Sequence, residues 1–174
     1  MDWFFYLSFN FILYSFLGWI LEEIYCFFTR GYFKKEGFLK GPFKPMYGFA
    51  LSILIYCYKG LKIRGITLVV LLFVVPTFIE FASGYILKKW FKKVYWDYSN
   101  IRFNFMGLIC VRFSLYWGVL SLVDLFFVQN LIDKFYFYYD YIAIILTLIL
   151  GSYLCIDLFI TIKENLKGEV KYSN

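Results

Sequence analysis

The sequence predicts an all-α, polytopic membrane protein with five transmembrane helices and structured cytoplasmic loops. Three observations lead there. Of 174 residues, 62% are apolar and 26% are aromatic. Charged residues make up 17%, under the roughly 25% of an ordinary soluble domain, and mean hydropathy is +0.68. The apolar residues also gather into stretches near the length that crosses a bilayer core, about 20 helical residues for about 30 Å. A water-soluble domain of this length could not hide so much apolar surface. A disordered chain, a secreted disulfide scaffold and a soluble nucleic-acid binder are excluded. The net charge of +6 is assigned to membrane topology rather than to nucleic acid.

The stretches fall at about residues 3–28, 43–58, 65–87, 105–128 and 141–162, within a single transmembrane domain spanning 1–174. The second is short and opens with Pro and Gly. Lys and Arg fix the expected orientation. Loop one carries Arg30, Lys34, Lys35, Lys40 and Lys44; loop three carries Lys88, Lys89, Lys92, Lys93 and Arg102; the C-terminal tail carries Lys163, Lys167 and Lys171. The opposite side has only Lys59, Lys62, Arg64 and Lys134. Positive charge stays inside, so the N-terminus is expected outside and the C-terminus in the cytoplasm of a multi-pass cell-membrane protein.

Cys26, Cys57, Cys110 and Cys155 lie in or beside apolar runs without CxxC spacing, and read as reduced packing residues. The absence of His removes His-based acid–base catalysis and most zinc or haem sites. No metal and no cofactor is expected.

Five ionisable groups inside the stretches bear on a site: Glu22, Glu80, Arg112, Asp124 and Asp157. Counting 1.5 Å per residue from the cytoplasmic end of each helix, Glu22, Glu80, Arg112 and Asp157 share one level, roughly 9–12 Å deep. Asp124 lies toward the outer end. Charges at such depth cost a few kcal/mol, face the bundle interior and pair. As the deep cation, Arg112 is expected to bridge to Glu22 or Glu80. Ser8, Ser15, Gly18 and Glu22 share one stripe of the first helix; Pro76, Glu80, Ser83 and Gly84 share one stripe of the third. Small residues allow close helix approach, which turns both acids inward. An ion pair that only fixes packing is the competing reading.

The densest Gly/Pro cluster runs from Gly37 through Gly41, Pro42 and Pro45 to Tyr47 and Gly48. Two prolines remove backbone donors and glycines permit unusual dihedrals. It reads either as a tight loop before a Pro-initiated helix or as a dipping segment lining a site; the P-loop spacing is absent. Trp96-Asp97-Tyr98-Ser99 with Asn104 and Gly107 fills the third loop. The two loops are expected to pack on each other, with Asp97 and Asn104 closing the cytoplasmic mouth over Glu22, Glu80 and Arg112.

These residues carry a resemblance. Residues 14–22 (YSFLGWILE), 37–48 (GFLKGPFKPMYG), Glu80, Trp96-Asp97-Tyr98-Ser99, Asn104, Gly107 and Trp117-Gly118 resemble the small bacterial membrane proteins labelled Putative ABC-transporter type IV, or CmpB-like permeases. The resemblance covers about residues 8–120 and leaves the fifth stretch outside. Where relatives carry Trp-Trp before the Asp-Tyr-Ser, this chain has Tyr95-Trp96. The resemblance implies a transport permease.

The expected function is therefore a transport permease subunit with a polar, charged intramembrane cavity open to the cytoplasm, taking a small charged or zwitterionic solute. Five helices imply a homo-oligomer or a second membrane subunit in the lipid bilayer, and no nucleic acid. Two alternatives stay open. One is a membrane-embedded enzyme acting on a lipid headgroup, with a Glu as base and Arg112 as anion holder. The other is a ligand-free structural or regulatory subunit.

Overall fold

The computed structural model describes residues 2–33 and 37–172, with side chains described to residue 166. Lys34 and Lys35, and the side chains of Lys167 and Lys171, lie outside the described part.

Helix α1 (Trp3–Arg30) starts where the Asp2 carboxylate accepts from the Phe4 N–H and stops at Gly31 in the left-handed region, an ordinary N-cap and C-cap pair. Helix α2 (Pro45–Ile55) opens with Pro at its first position, where the missing N–H is not needed. It continues through a π-helical turn, Tyr56–Gly60. Helix α3 (Gly65–Phe91) contains Pro76. A short hairpin follows, β1 (Asn104–Phe105) pairing antiparallel with β2 (Ile109–Cys110). Helix α4 (Val111–Val123) runs through a second π-helical turn, Asp124–Val128, into α5 (Gln129–Tyr138). Helix α6 (Asp140–Tyr172) closes the chain.

Among the described residues, four helical segments are long and apolar enough to cross a membrane: Trp3–Arg30, Gly65–Phe91, Val111–Tyr138 and Asp140–Leu166. This corrects the expected boundaries. The stretch expected as 105–128 starts at Val111, because residues 104–110 form the hairpin. It ends at Tyr138, so Lys134 sits on a helix rather than in a loop. The expected second crossing is a helix whose regular part is 11 residues, short of the length that spans a bilayer.

The segments alternate in direction. The π-turn ending α2 meets the start of α1, with the Trp3 and Tyr56 rings 5.4 Å apart. The end of α5 returns to the same place, Tyr6 meeting Tyr136 at 5.1 Å. The end of α3 lies at the opposite face, where Phe91 meets Phe38 of the Gly/Pro loop at 4.8 Å. We call these the N-terminal face and the loop face. The main core lies toward the N-terminal face, around Tyr6, Leu54, Ile55, Leu72 and Leu125.

The tightest packing is α1 on α2, and small residues make it possible. A side chain at Gly18 would collide with the Tyr47 ring, and one at Gly48 would collide with Ser15 Oγ and the Phe11 carbonyl. The Lys44 N–H donates to the Ser15 carbonyl at 2.8 Å. Ser15 lies 15 residues before the end of α1, about 22 Å at 1.5 Å per residue. The Gly/Pro segment therefore descends alongside α1 before α2 starts, the dipping arrangement rather than a tight surface loop.

Candidate functional site

Glu22 and Glu80 approach a common point, and Tyr47 stands there with them. The Tyr47 ring is buried against Gly18, meets the Trp117 ring at 4.8 Å, and lies within electrostatic reach of both acids. Pro76, Glu80 and Gly84 form one buried stripe of α3, as their spacing of four requires.

The cation is not the expected one. Lys44, at the start of α2, pairs with Glu22 at 2.7 Å. Arg112 is exposed; its Nε donates to the Tyr116 hydroxyl at 3.0 Å on its own helix. The helix starts at Val111 rather than 105, so Arg112 sits in its first turn and not deep in a span.

Glu80 is the most enclosed acid of the pair, 3% exposed. The Tyr98 hydroxyl donates to Glu80 Oε1 at 2.9 Å. The Trp117 side chain also stands within reach of this carboxylate, but the second oxygen, Oε2, is buried and makes no hydrogen bond of ordinary geometry among the described residues, as is true of Thr77 Oγ1. Tyr98 is held by its loop: its N–H donates to the Gly107 carbonyl, and its ring stacks on Phe113 at 4.7 Å. Burial and the Glu80 carboxylate both push the Tyr98 phenol above its usual range, so it stays a donor at neutral pH.

Asp97 and Asn104 do not close a mouth. Both are exposed and build the loop. Asp97 Oδ1 accepts from the Ser99 N–H at 2.9 Å and the Ser99 hydroxyl at 2.5 Å, which holds its carboxyl below the usual range. Asn104 donates to the Ile101 carbonyl and accepts from the Gly107 N–H. Gly107 has φ +70°, and a side chain there would strike Ser99 and Asp97. Trp96 donates to the Leu108 carbonyl at 2.9 Å and packs over Gly84. The motif residues of this loop thus aim Tyr98 at Glu80.

The expected approach of the Gly/Pro segment to the Trp96-to-Asn104 loop is seen at Tyr47, which lies within electrostatic reach of Tyr98. The start of the segment docks on α6: the Lys40 and Gly41 N–H groups donate to Asp157 at 3.3 and 2.9 Å, and Gly41 presses on Tyr153. Asp157 is explained by this contact and stands apart from the Glu22–Glu80 pair. Gly37 lies against the Lys44 ammonium, and Phe43 is buried beside Leu39 and Leu154. Between residues 37–40, 93–95 and the 161–165 end of α6 an open groove of about 600 Å³ remains.

A second polar network, toward the N-terminal face, escaped the sequence reading. Gln129, fully buried, donates to Asn10 Oδ1 at 2.9 Å and Asp133 Oδ1 at 2.8 Å, and accepts from the Tyr14 hydroxyl at 2.9 Å. The Tyr6 hydroxyl donates to Asp133, and Lys59 forms an ion pair with Asp133. Its signal was present: Tyr6, Asn10 and Tyr14 recur every four residues within an apolar helix, as do Gln129 and Asp133, and such spacing puts polar groups on one face.

The four cysteines are free; Cys26 and Cys110 are buried as packing residues, Cys57 is partly buried and Cys155 is exposed. No solved structure matches the chain. The family model described as Putative ABC-transporter type IV matches residues 9–162, and the chain belongs to that family. The match includes most of α6, so the likeness runs well past the residue 120 expected from the motifs. The chain is a multi-pass membrane protein of an ABC-transporter-like family.

Proposed function

We propose that this protein is a permease-type subunit that binds a small solute bearing a cationic group, zwitterions included, at Glu80 in the membrane interior. The observation that carries the reading is the buried Oε2 of Glu80, which makes no hydrogen bond of ordinary geometry among the described residues although Trp117 stands near the carboxylate. Glu22 is compensated by Lys44, so the described charges at this centre sum to minus one. A carboxylate in the bilayer interior needs a counter-charge, and a cationic ligand supplies it. Tyr47 and Trp117 offer aromatic faces of the kind that attract such a group.

The same reading orients the chain with its loop face toward the cytoplasm, from the lysine distribution, and makes the dipping segment plus α2 and its π-turn a fifth, short crossing. Irregular backbone at that depth suits a segment buried in protein beside a site. A bundle this small completes a pathway with a second copy or another membrane subunit.

One observation favours the structural alternative: the buried Tyr47 side chain hydrogen-bonds Glu22 and lies within electrostatic reach of Glu80. The test separates the two. Isothermal titration of the protein in nanodiscs uses methylammonium, putrescine, neutral amino acids and small carboxylates as probes. At least one cationic or zwitterionic probe is expected to bind saturably, with at least tenfold loss in Glu80→Gln and none in Arg112→Gln. No binding by any probe, or equal binding by Glu80→Gln, contradicts the reading.

A further inference from the structure

The open groove on the loop face lies between the ends of two long apolar helices. Helix α3 ends at Phe91, and its exit carries Lys88, Lys89, Lys92 and Lys93, all exposed, with the exposed Trp90 among them. Lys92 is in the left-handed region at φ +51°, which turns the chain there, and Lys93 and Tyr95 line one wall of the groove. Glu164 and Asn165 of α6 line another, at the end of its apolar stretch Asp140–Leu166. The segment 37–40 ties the two helix ends together: Phe38 meets Phe91 at 4.8 Å, and the Lys40 N–H donates to Asp157 of α6. Phe159, Ile160 and Leu166 on α6 are exposed apolar side chains near that end. The groove thus sits where apolar helix ends give way to lysines and aromatics, the composition of a membrane–water interface.

We propose that this groove binds the phosphodiester headgroup of an anionic phospholipid, with Lys40 and Lys93 on the phosphate and the acyl chains along the exposed apolar side chains of α6. The charged side chains lining the groove are Lys40, Lys93 and Glu164. Two cations and one carboxylate leave one positive charge, the complement of a phosphodiester. Lys40 is paired with Glu164 at 2.6 Å, but both side chains are more than half exposed, and such pairs contribute little and rearrange readily. The Lys93 ammonium makes no hydrogen bond or ion pair among the described residues. Basic pockets between membrane-spanning helices are where anionic headgroups bind. Topology alone would account for lysines at the exit of α3, but not for a groove with a lysine on each of two separate chain segments. A soluble phosphate would meet the same lysines and leave the adjoining apolar side chains unused; a lipid engages both. This site is separate from Glu80 and does not depend on what binds there.

The test is thermal unfolding of the whole protein in an uncharged detergent, titrated with short-chain phosphatidylglycerol, short-chain phosphatidylcholine, glycerophosphoglycerol (the same headgroup without acyl chains) or inorganic phosphate. A ligand that binds the folded state raises the midpoint with the logarithm of its concentration above the dissociation constant. The expected result is such a rise with phosphatidylglycerol and a much weaker one with the other three. In the double variant Lys40→Gln, Lys93→Gln, whose altered side chains are both exposed and keep the fold, the phosphatidylglycerol needed should rise by about tenfold or more. Arg112→Gln removes one exposed cation outside the groove and should leave the response as in the wild type. An equal response in the wild type and the double variant overturns the site, and so does an equal loss in Arg112→Gln, which would mark a general surface charge. An equal rise with phosphatidylcholine overturns the charge selection. An equal rise with glycerophosphoglycerol or inorganic phosphate overturns the lipid as occupant, and no rise with any of the four overturns the proposal as a whole.

Discussion

The Tyr98 hydroxyl donates to Glu80 Oε1 at 2.9 Å and so divides the carboxylate: one oxygen is committed to the loop, and the other is left inside the bundle without a hydrogen bond of ordinary geometry among the described residues. Both the ligand reading and the role of the Trp96-to-Cys110 motif follow from that division. Removing the hydroxyl alone, in Tyr98→Phe, should weaken the protein by about 1.5–3 kcal/mol, the range for hydrogen bonds to charged groups. Denaturant unfolding in detergent measures it, and faster hydrogen exchange confined to residues 96–110 should accompany it.

Arg112→Gln should change stability by less than about 0.5 kcal/mol, as exposed sites usually do. Lys44→Met should be far more damaging, because it strands Glu22 half-buried beside Tyr47 and Glu80. A matched Lys44→Met, Glu22→Leu pair should recover most of the loss, since removing both partners avoids the uncompensated charge. Midpoints of the wild type and the three variants decide this.

Gly48→Ala should destabilise by about 1–3 kcal/mol, the range for overpacking a close contact. Its new Cβ would collide with the Phe11 carbonyl, which a helix backbone cannot withdraw. Gly31→Ala is the contrast. It too has positive φ, but nothing lies within 4 Å, so only backbone strain of about 1–2 kcal/mol applies.

Asp97 gives a pH signature. Its folded pKa is lowered by the Ser99 hydroxyl and N–H, so the turn is supported above the ordinary aspartate range and loses that support as pH falls through the lowered value. Tyr98 has the opposite sign: its pKa is raised by burial and Glu80, and its contribution is lost as pH rises above the usual phenol range. Hydrogen-exchange protection of the 96–110 loop, taken relative to the pH-dependent intrinsic rate, should therefore be greatest in the neutral range, and Asp97→Asn should remove the acid limb only.

Much of this was legible in the residues. Apolar runs gave the four long helices, and the i, i+4 spacing of Pro76, Glu80 and Gly84 gave the inward face of α3. Depth counting brought Glu22 and Glu80 together but misassigned their cation. It counted Arg112 from a helix start placed at residue 105, and the hairpin moves that start to Val111. Lys44 counts as loop charge when only Lys and Arg placement is weighed; the Gly/Pro cluster around it allows a dipping segment, but no spacing in it specifies the descent beside α1 to Ser15. The Gln129 network was missed for a related reason. Residues past 128 were read as a loop, and a π-turn carries the helix straight through.

The central claim is that a cationic ligand at Glu80 crosses the membrane. The most direct test reconstitutes the protein, with whatever membrane subunits accompany it through purification, into vesicles, and follows uptake of the tightest-binding labelled probe. Uptake above protein-free vesicles, lost in Glu80→Gln and kept in Arg112→Gln, is the predicted result. A probe that binds at Glu80 yet enters no faster than into protein-free vesicles would contradict it.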